Sequence, residues 1–400
     1  MNNPVGDRGK RMMKLLRPAG LAVSALAVLG AASCTAASAQ PTASSQTTAR
    51  ARPAATAPPR LAVPPPTGPD HVGTIAVPAF DPSRHRELMI QLWYPTRATR
   101  GRPAPYFTPA VARLVATADH IPARVTTTIA THASEAAKPA PGRHPVVLYD
   151  PGSGEMRNDA TALAEELASR GFVTVGIDHT GESQFVQFPD GRIVRGTFHD
   201  TGPASNTREV RVRVADVAAV LRALPAISRH GLLARALNLR RIGMFGFSLG
   251  GATAAAAMRQ LPAIQAGLDI DGSLYGRAAN TPLARPFLFL ANGRHSTQDD
   301  PSWQSGWRAL HGFRREIRLR RSGHLSFTDI VGFIDRLGLR SRYSPRLQRL
   351  LFGSIPAPAA ITATRQLVTA YFDYFLKHDR HALTMLNTPS QQNRYLLRLR

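Results

Sequence analysis

The chain has 400 residues, of which 43% are hydrophobic, so it is long enough for one large domain or two and too apolar to be disordered throughout. Its formal charge of +24 rests on 50 basic residues, nearly all of them Arg and scattered along the whole sequence. Without clusters or interleaved aromatics this excludes a nucleic-acid-binding stripe; it reads chiefly as a codon bias toward Arg, with attraction to anionic membrane or cell-wall surfaces as the sharper alternative.

Residues 1–39 read as an export signal. Arg8, Lys10, Arg11, Lys14 and Arg17 form a basic start, the apolar stretch from Ala19 to Ala32 is too short to span a bilayer comfortably, and Ala37 and Ala39 are placed for cleavage before Gln40. Removing the five basic residues and Asp7 of this segment leaves a charge of +20. The competing reading takes "AASC" as a lipoprotein box ending at Cys34, although Ala31 stands where a larger aliphatic residue is usual. Cys34 is the single cysteine, so cleavage after Ala39 leaves none, which suits an oxidising compartment and excludes a disulfide framework, a thiol nucleophile and a cysteine metal site. Residues 40–66 are rich in Ala, Thr, Ser and Pro and read as a partly stiff linker.

One domain is expected over 67–387, with its first structure near Val72. "ELMIQLWYP" (87–95) reads as an early strand and "HPVVLYD" (144–150) as a buried one. "DATALAEELASRG" (159–171) reads as an amphipathic helix closed by Gly171. Another buried strand, "FVTVGID" (172–178), precedes a helix over 208–224 with an apolar stripe through Val212, Val214, Val217, Val220 and Leu221. Strands at 241–245, 266–271 and 286–292 follow, with a small-residue helix from Gly250 between the first two. "REIRLRR" (315–321) alternates like an edge-proximal strand, 329–387 supply helices, and 388–400 form a basic tail. Strands alternating with helices predict an α/β fold, with a mostly parallel central sheet covered on both faces.

"GFSLG" (246–250) places Ser248 between glycines at −2 and +2, after an apolar strand and before a small-residue helix. A serine on such a tight turn is lifted above the sheet edge, and side chains at the flanking positions would strike neighbouring backbone. A serine nucleophile needs a base, and His324, in a glycine-containing loop past the last strand, is in the right place. His295 comes one strand too early and His311 lies in a helical stretch. For the acid that orients the base, Asp271 at a strand end competes with Asp299 and Asp300 after the next strand, and with Asp269 on the same strand face. The oxyanion donors would be the backbone N–H groups of Leu249 and of Ser153, in "PGSGEMRND" after the 144–150 strand. His179 reads as a hydrogen-bonding organiser of the sheet edge. No metal-ligand spacing, P-loop or dinucleotide fingerprint is present, so no cofactor is expected.

These pieces, together with "DPSRHRELMIQLWYP" at 81–95, "GFVTVGIDHTG" at 171–181, "FPDGRIV" at 188–194, "LDIDG" at 268–272 and "GHLSFTD" at 323–329, come in the order of a known family. Over roughly 72–378 the chain resembles the plasma-type platelet-activating-factor acetylhydrolases, in their bacterial branch, of the α/β-hydrolase superfamily. The resemblance implies the catalytic triad Ser248, Asp271 and His324, with Leu249 and Ser153 as oxyanion donors. It implies a phospholipid substrate with a short or oxidised acyl chain, and catalysis without Ca²⁺. Phe247 stands where His is common in the elbow, and Pro151 where the animal enzymes have His; neither position supplies a catalytic side chain.

The resulting expectation is an exported serine esterase acting on short-chain acyl esters, with Phe247, Trp93, Phe287 and Phe289 available to fill the sheet edge. The alternatives are a cutinase-like polyester or other carboxylesterase on the same fold, and a surface-anchored binding protein that keeps a hydrolase scaffold.

Overall fold

The computed structural model describes residues 60–197 and 202–400. The export signal, Cys34 and the linker up to residue 59 lie outside them. The continuous apolar runs form strands buried on both faces, as expected of a parallel sheet between helical layers. They are β4 (His144–Asp150), β5 (Val173–Asp178), β8 (Leu237–Phe247), β9 (Ile264–Ile270), β10 (Phe287–Ala291) and β11 (Arg314–Leu319). In the sheet they run β11-β10-β9-β8-β4-β5, all parallel. The long hairpin of β1 (His71–Asp81) and β2 (Arg86–Thr96) joins antiparallel to β5, and β3 (Ala133–Glu135) completes that edge beside β1. A small two-stranded ribbon, β6 (Phe185–Gln187) with β7 (Ile193–Arg195), stands apart. At the far edge β12 (Leu396–Arg398) lies antiparallel on β11, so ten strands form the main sheet among the described residues.

The helices of the described residues are α1 (Pro109–Ala118), α2 (Ala123–Thr127), α3 (Thr161–Ser169), α4 (Pro203–Arg229), α5 (Leu249–Gln260), α6 (Pro301–Ala309), α7 (Ile330–Arg336), α8 (Pro345–Leu351), α9 (Ala357–Lys377) and two short ones before β12, α10 (Leu383–Asn387) and α11 (Pro389–Gln392). Alternation along each strand divides the core. Val147, Tyr149, Phe245 and Leu268 face α3, α7 and α9, whereas Val146, Leu148, Met244 and Phe287 face α4, α5 and Trp303 of α6. Close approach is built in: a Cβ on Gly243 of β8 would lie 2.5 Å from the Phe372 ring of α9.

Five expectations need correction. Helix α3 is buried on every side rather than amphipathic. Its outer face is covered by chain that the composition suggested was linker: Leu61 and Val63 are buried, the Val63 N–H donates to the Ala130 carbonyl while the Ala130 N–H donates to that of Leu61, and Arg365 of α9 donates to the carbonyls of Pro64 and Pro65 at 2.7 and 2.9 Å. Both glutamates of α3 are held from inside: Glu165 Oε1 accepts from the His132 and Ala133 N–H groups, and Glu166 accepts from Thr67. Packed chain is therefore present from Leu61 among the described residues, ahead of 67 or 72. In α4 Val212 is 45% exposed, because the buried stripe runs through Val210, Arg213, Val214, Val217, Val220 and Leu224. The 388–400 segment is not a free tail, since Leu396 is buried and residues 396–398 pair with β11. Finally, Trp93, Phe287 and Phe289 are 0–1% exposed and belong to the core between sheet and helices, not to a pocket wall.

Candidate active site

Strand β8 ends at Phe247 and α5 begins at Leu249, with Ser248 alone between them at φ 55°, ψ −120°. A non-glycine residue in this region carries roughly 1–3 kcal/mol of strain, held by its surroundings. The glycines explain how the turn closes. A Cβ on Gly246 would stand 2.0 Å from the Gly250 carbonyl oxygen, and one on Gly250 would stand 2.0 Å from that of Asp150. The Ser248 N–H donates to the Ile270 carbonyl at 2.8 Å, which ties the turn to β9.

His324 follows β11 at the start of a single 3₁₀ turn, His324–Phe327. Its Nε2 lies 3.0 Å from Ser248 Oγ and its Nδ1 lies 2.6 Å from Asp271 Oδ2. With Nδ1–H donated to the carboxylate, Nε2 presents the lone pair that accepts the serine hydroxyl. The ring rests on Phe247 at 4.8 Å between centroids, and is about one-third exposed. Asp271 sits just past β9 at φ 60°, anchored by its N–H on the Leu290 carbonyl. Asn292 donates to both its oxygens, N–H to Oδ1 at 2.9 Å and Nδ2 to Oδ2 at 2.6 Å. His295 Nδ1 adds a fourth contact, 2.8 Å from Oδ1. Burial pushes this carboxyl up, but the hydrogen bonds from His295 and His324 outweigh it and hold Asp271 well below the usual carboxylate range.

The structure thus brings Ser248, His324 and Asp271 into one hydrogen-bonded line and leaves the rivals outside it. Asp269 is buried with its Oδ1 on the Gly272 N–H, and burial raises it well above an ordinary Asp. Asp299 is exposed and accepts from Ser296 Oγ, and His311 is exposed. Asp300 and His295 are not bystanders. They bond to each other at 3.1 Å, and His295 reaches the line through Asp271.

Leu249 N–H is the first of α5, with no carbonyl one turn behind it. In the loop after β4, the Gly152 N–H points to Glu155 Oε2 at 3.1 Å and the Gly154 N–H to Glu182 Oε1 at 3.4 Å. The Ser153 N–H between them takes no backbone or side-chain partner among the described residues. A buried ionic cluster fixes this loop from below. Arg213 of α4 donates to Asp150 Oδ1 at 2.6 Å, to the carbonyls of Pro151 and Gly152 at 2.5 and 3.0 Å, and to Glu182 at 2.7 Å. His179 bridges Asp150 and Asp216 at 3.0 and 2.9 Å. Burial opposes its charge, but the attraction of Asp150 prevails and raises it to about 9. Sequence reasoning placed His179 in this role and missed Arg213, Asn292 and His295. A narrow cavity with about 20 Å³ of free space lies beside the loop, lined by Tyr106, Phe107, Ile121, Glu155, Asp159 and Phe333 among others. There Asp159 is pushed up to about 7 by burial.

A central parallel sheet crossed by a strand–serine–helix turn, with a histidine after the last parallel strand, is the α/β-hydrolase fold. No family model matches the chain. It is 29% identical over 245 residues to a probable 1-alkyl-2-acetylglycerophosphocholine esterase of Arthroderma benhamiae, a match covering 58% of this chain and 60% of that protein. It is 20% identical over 214 residues to the platelet-activating factor acetylhydrolase of Cavia porcellus, covering 47% and 49%. The chain therefore spans about half to three-fifths of the length of these curated relatives. A solved structure, a ferulic acid esterase from Streptomyces cinnamoneus, superposes with a TM-score of 0.75 at 32% identity, covering 85% of this chain and 99% of that one. The chain is thus similar to platelet-activating-factor acetylhydrolases over part of its length and to a ferulic acid esterase over most of it, which places it in the α/β-hydrolase superfamily.

Proposed function

We propose that this chain is an exported serine esterase of short-chain acyl esters, with platelet-activating-factor-like phospholipids as its substrate class. The observation that carries the reading is the unbroken line from Ser248 Oγ through His324 to Asp271, at 3.0 and 2.6 Å. Ser248 Oγ attacks the ester carbonyl carbon as its proton passes to His324 Nε2. The charge that develops on the carbonyl oxygen meets the N–H groups of Leu249 and Ser153. His324 returns the proton to the leaving oxygen as the C–O bond breaks, leaving acyl-Ser248. Water then loses a proton to His324 and attacks the acyl carbon, and Ser248 recovers its hydroxyl as the acid departs.

A second reading, an esterase of aromatic acyl groups, is supported by the ferulic acid esterase likeness and by the aromatic side chains of the cavity beside the oxyanion loop. A panel of acetyl, butyryl and octanoyl esters, a short sn-2 acyl phosphocholine and methyl ferulate separates them. The short-chain reading expects a fall of about tenfold or more in kcat/KM by octanoyl, for roughly 1.4 kcal/mol of lost fit. Ferulate turned over faster than the acetyl esters would move the assignment to the second reading. Labelling of Ser248 by a fluorophosphonate excludes the binding-protein alternative.

Export rests on the basic and apolar leader, and intact mass should show a chain starting at Gln40; a diacylated chain starting at Cys34 would point to the lipoprotein reading. The positive charge supports a salt-sensitive attraction to anionic membrane surfaces.

A further inference from the structure

The hydrogen-bonded line does not end at Asp271. His295 touches that carboxylate on Oδ1 at 2.8 Å, while His324 holds Oδ2 at 2.6 Å. The other ring nitrogen of His295 lies 3.1 Å from Asp300 Oδ2. Asp271 and Asp300 are both held below the ordinary carboxylate range, Asp300 at about 2 because hydrogen bonds from His295, Ser273 and Ser302 overcome its burial. Ionised carboxylates only accept, so both nitrogens of His295 must carry hydrogen, and the ring is an imidazolium.

Its surroundings keep it in place. The ring stacks on Trp303 at 4.0 Å between centroids and 31° between planes, a geometry that favours a cation. The same indole donates to the Gly272 carbonyl at 2.6 Å, directly after Asp271. Asp300 caps α6 through the Ser302 N–H at 2.7 Å and takes Ser273 Oγ at 2.6 Å. The charged groups around His295 are Asp269 and Asp271 at the end of β9, Asp299 and Asp300 before α6, Glu316 and Arg318 on β11, and Arg294 beside it. Of these, Arg318 donates to the His295 carbonyl at 3.2 Å and Glu316 is occupied by Thr297. Burial alone would lower this histidine, but its bonds to Asp271 and Asp300 raise it to about 10.

We propose that His295 is a positioning residue of the triad, orienting Asp271 from the side opposite His324 and tempering the negative charge that Asp271 presents to it. This rests on the serine-esterase reading. The physical consequence is specific. With a cation already on Oδ1, Asp271 stabilises protonated His324 less, so the base is free at lower pH than a lone Asp–His pair would allow. A neutral donor at 295 keeps the hydrogen bond and removes the charge.

The test is the pH profile of kcat/KM for a short-chain ester in His295→Gln. The acidic limb should move up by about one pH unit, with the plateau kcat reduced by less than about tenfold and KM unchanged. An unmoved limb overturns the proposal, because a role limited to packing would lower the plateau and leave the limb where it was. Two-bond ¹H–¹⁵N spectra of the wild-type protein decide the same point should the variant fold poorly: both His295 nitrogens should be protonated at pH 8, and a neutral ring would overturn the proposal. Ser248→Ala separates the two readings. Activity that survives it defeats the esterase reading itself, whereas its loss beside an unmoved His295→Gln limb defeats only the inference about His295.

Discussion

Arg213 Nη1 stands 2.6 Å from Asp150 Oδ1, and both side chains are sealed from solvent. The same guanidinium takes the carbonyls of Pro151 and Gly152, so the loop that carries the Ser153 N–H hangs from one buried cation. Arg213→Met should therefore cost about 3–5 kcal/mol by chemical denaturation, because it takes the buried cation from Asp150 and Glu182 and leaves Asp150 to His179 alone. Arg213→Lys keeps the charge and loses the planar fork. Its kcat should fall by about tenfold or more with KM little changed, as steady-state kinetics on a short-chain ester would show.

Ser248→Ala and His324→Ala should each lower kcat on the order of 10⁴-fold or more with folding retained. Asp271→Asn should cost heavily, since Asn292 and both histidines converge on that carboxylate. Asp299→Asn, on the exposed side, should cost little. Asp300→Asn belongs between them, because Asp300 acts on Asp271 only through His295. Circular dichroism beside the kinetics separates lost chemistry from lost structure.

Stability should fall on the alkaline side. His295 is raised in the folded protein to about 10 from an unfolded value near 6.5. Its contribution is therefore fully present below about 6.5 and disappears as the pH rises through about 10. Asp159, pushed up to about 7, also lowers stability as the pH rises, but between about 4 and 7 and so below the range of the histidine's loss. The difference between wild type and His295→Gln isolates the histidine: the gap in Tm should be widest below about pH 6.5 and should close toward pH 10. A gap that stayed constant from pH 7 to 10 would contradict the assigned charge.

Gly250→Ala places a Cβ 2.0 Å from the Asp150 carbonyl oxygen, and backbone on both sides prevents relief. It should destabilise by about 3 kcal/mol or more and abolish activity. Gly142→Ala, at φ 109° with open space around the added carbon, is the control. It should cost only backbone strain, about 1–2 kcal/mol, and leave kcat intact.

The glycines around Ser248 were legible because a backbone crossing leaves its mark on the residues that make it. The buried strands were legible for a similar reason: a run such as "HPVVLYD" has no polar face to hide. What could not be read depends on side chains that meet only after folding. Arg213 looks like one more Arg of a basic helix until the sheet places Asp150 beneath it. His295 and Asp300 appeared as rivals to His324 and Asp271 because each has the right chemistry, and only the distance between β9 and the β10–α6 loop shows them backing Asp271 instead. Leu61 and Val63 were hidden by their prolines, whose composition resembles a linker wherever they lie.

The last strand has a consequence beyond the site. Residues 396–398 cover β11, a strand that would otherwise end the sheet with a row of unpaired N–H and C=O groups. These few residues act as a seam along the molecule's open side, more than 70 positions after His324 and with no part in the chemistry. A chain clipped before Leu396 would keep every catalytic group and expose a ready template for a neighbour's strand. Its failure would be seen first in size-exclusion profiles, as higher-order species, while freshly prepared protein still turned over ester.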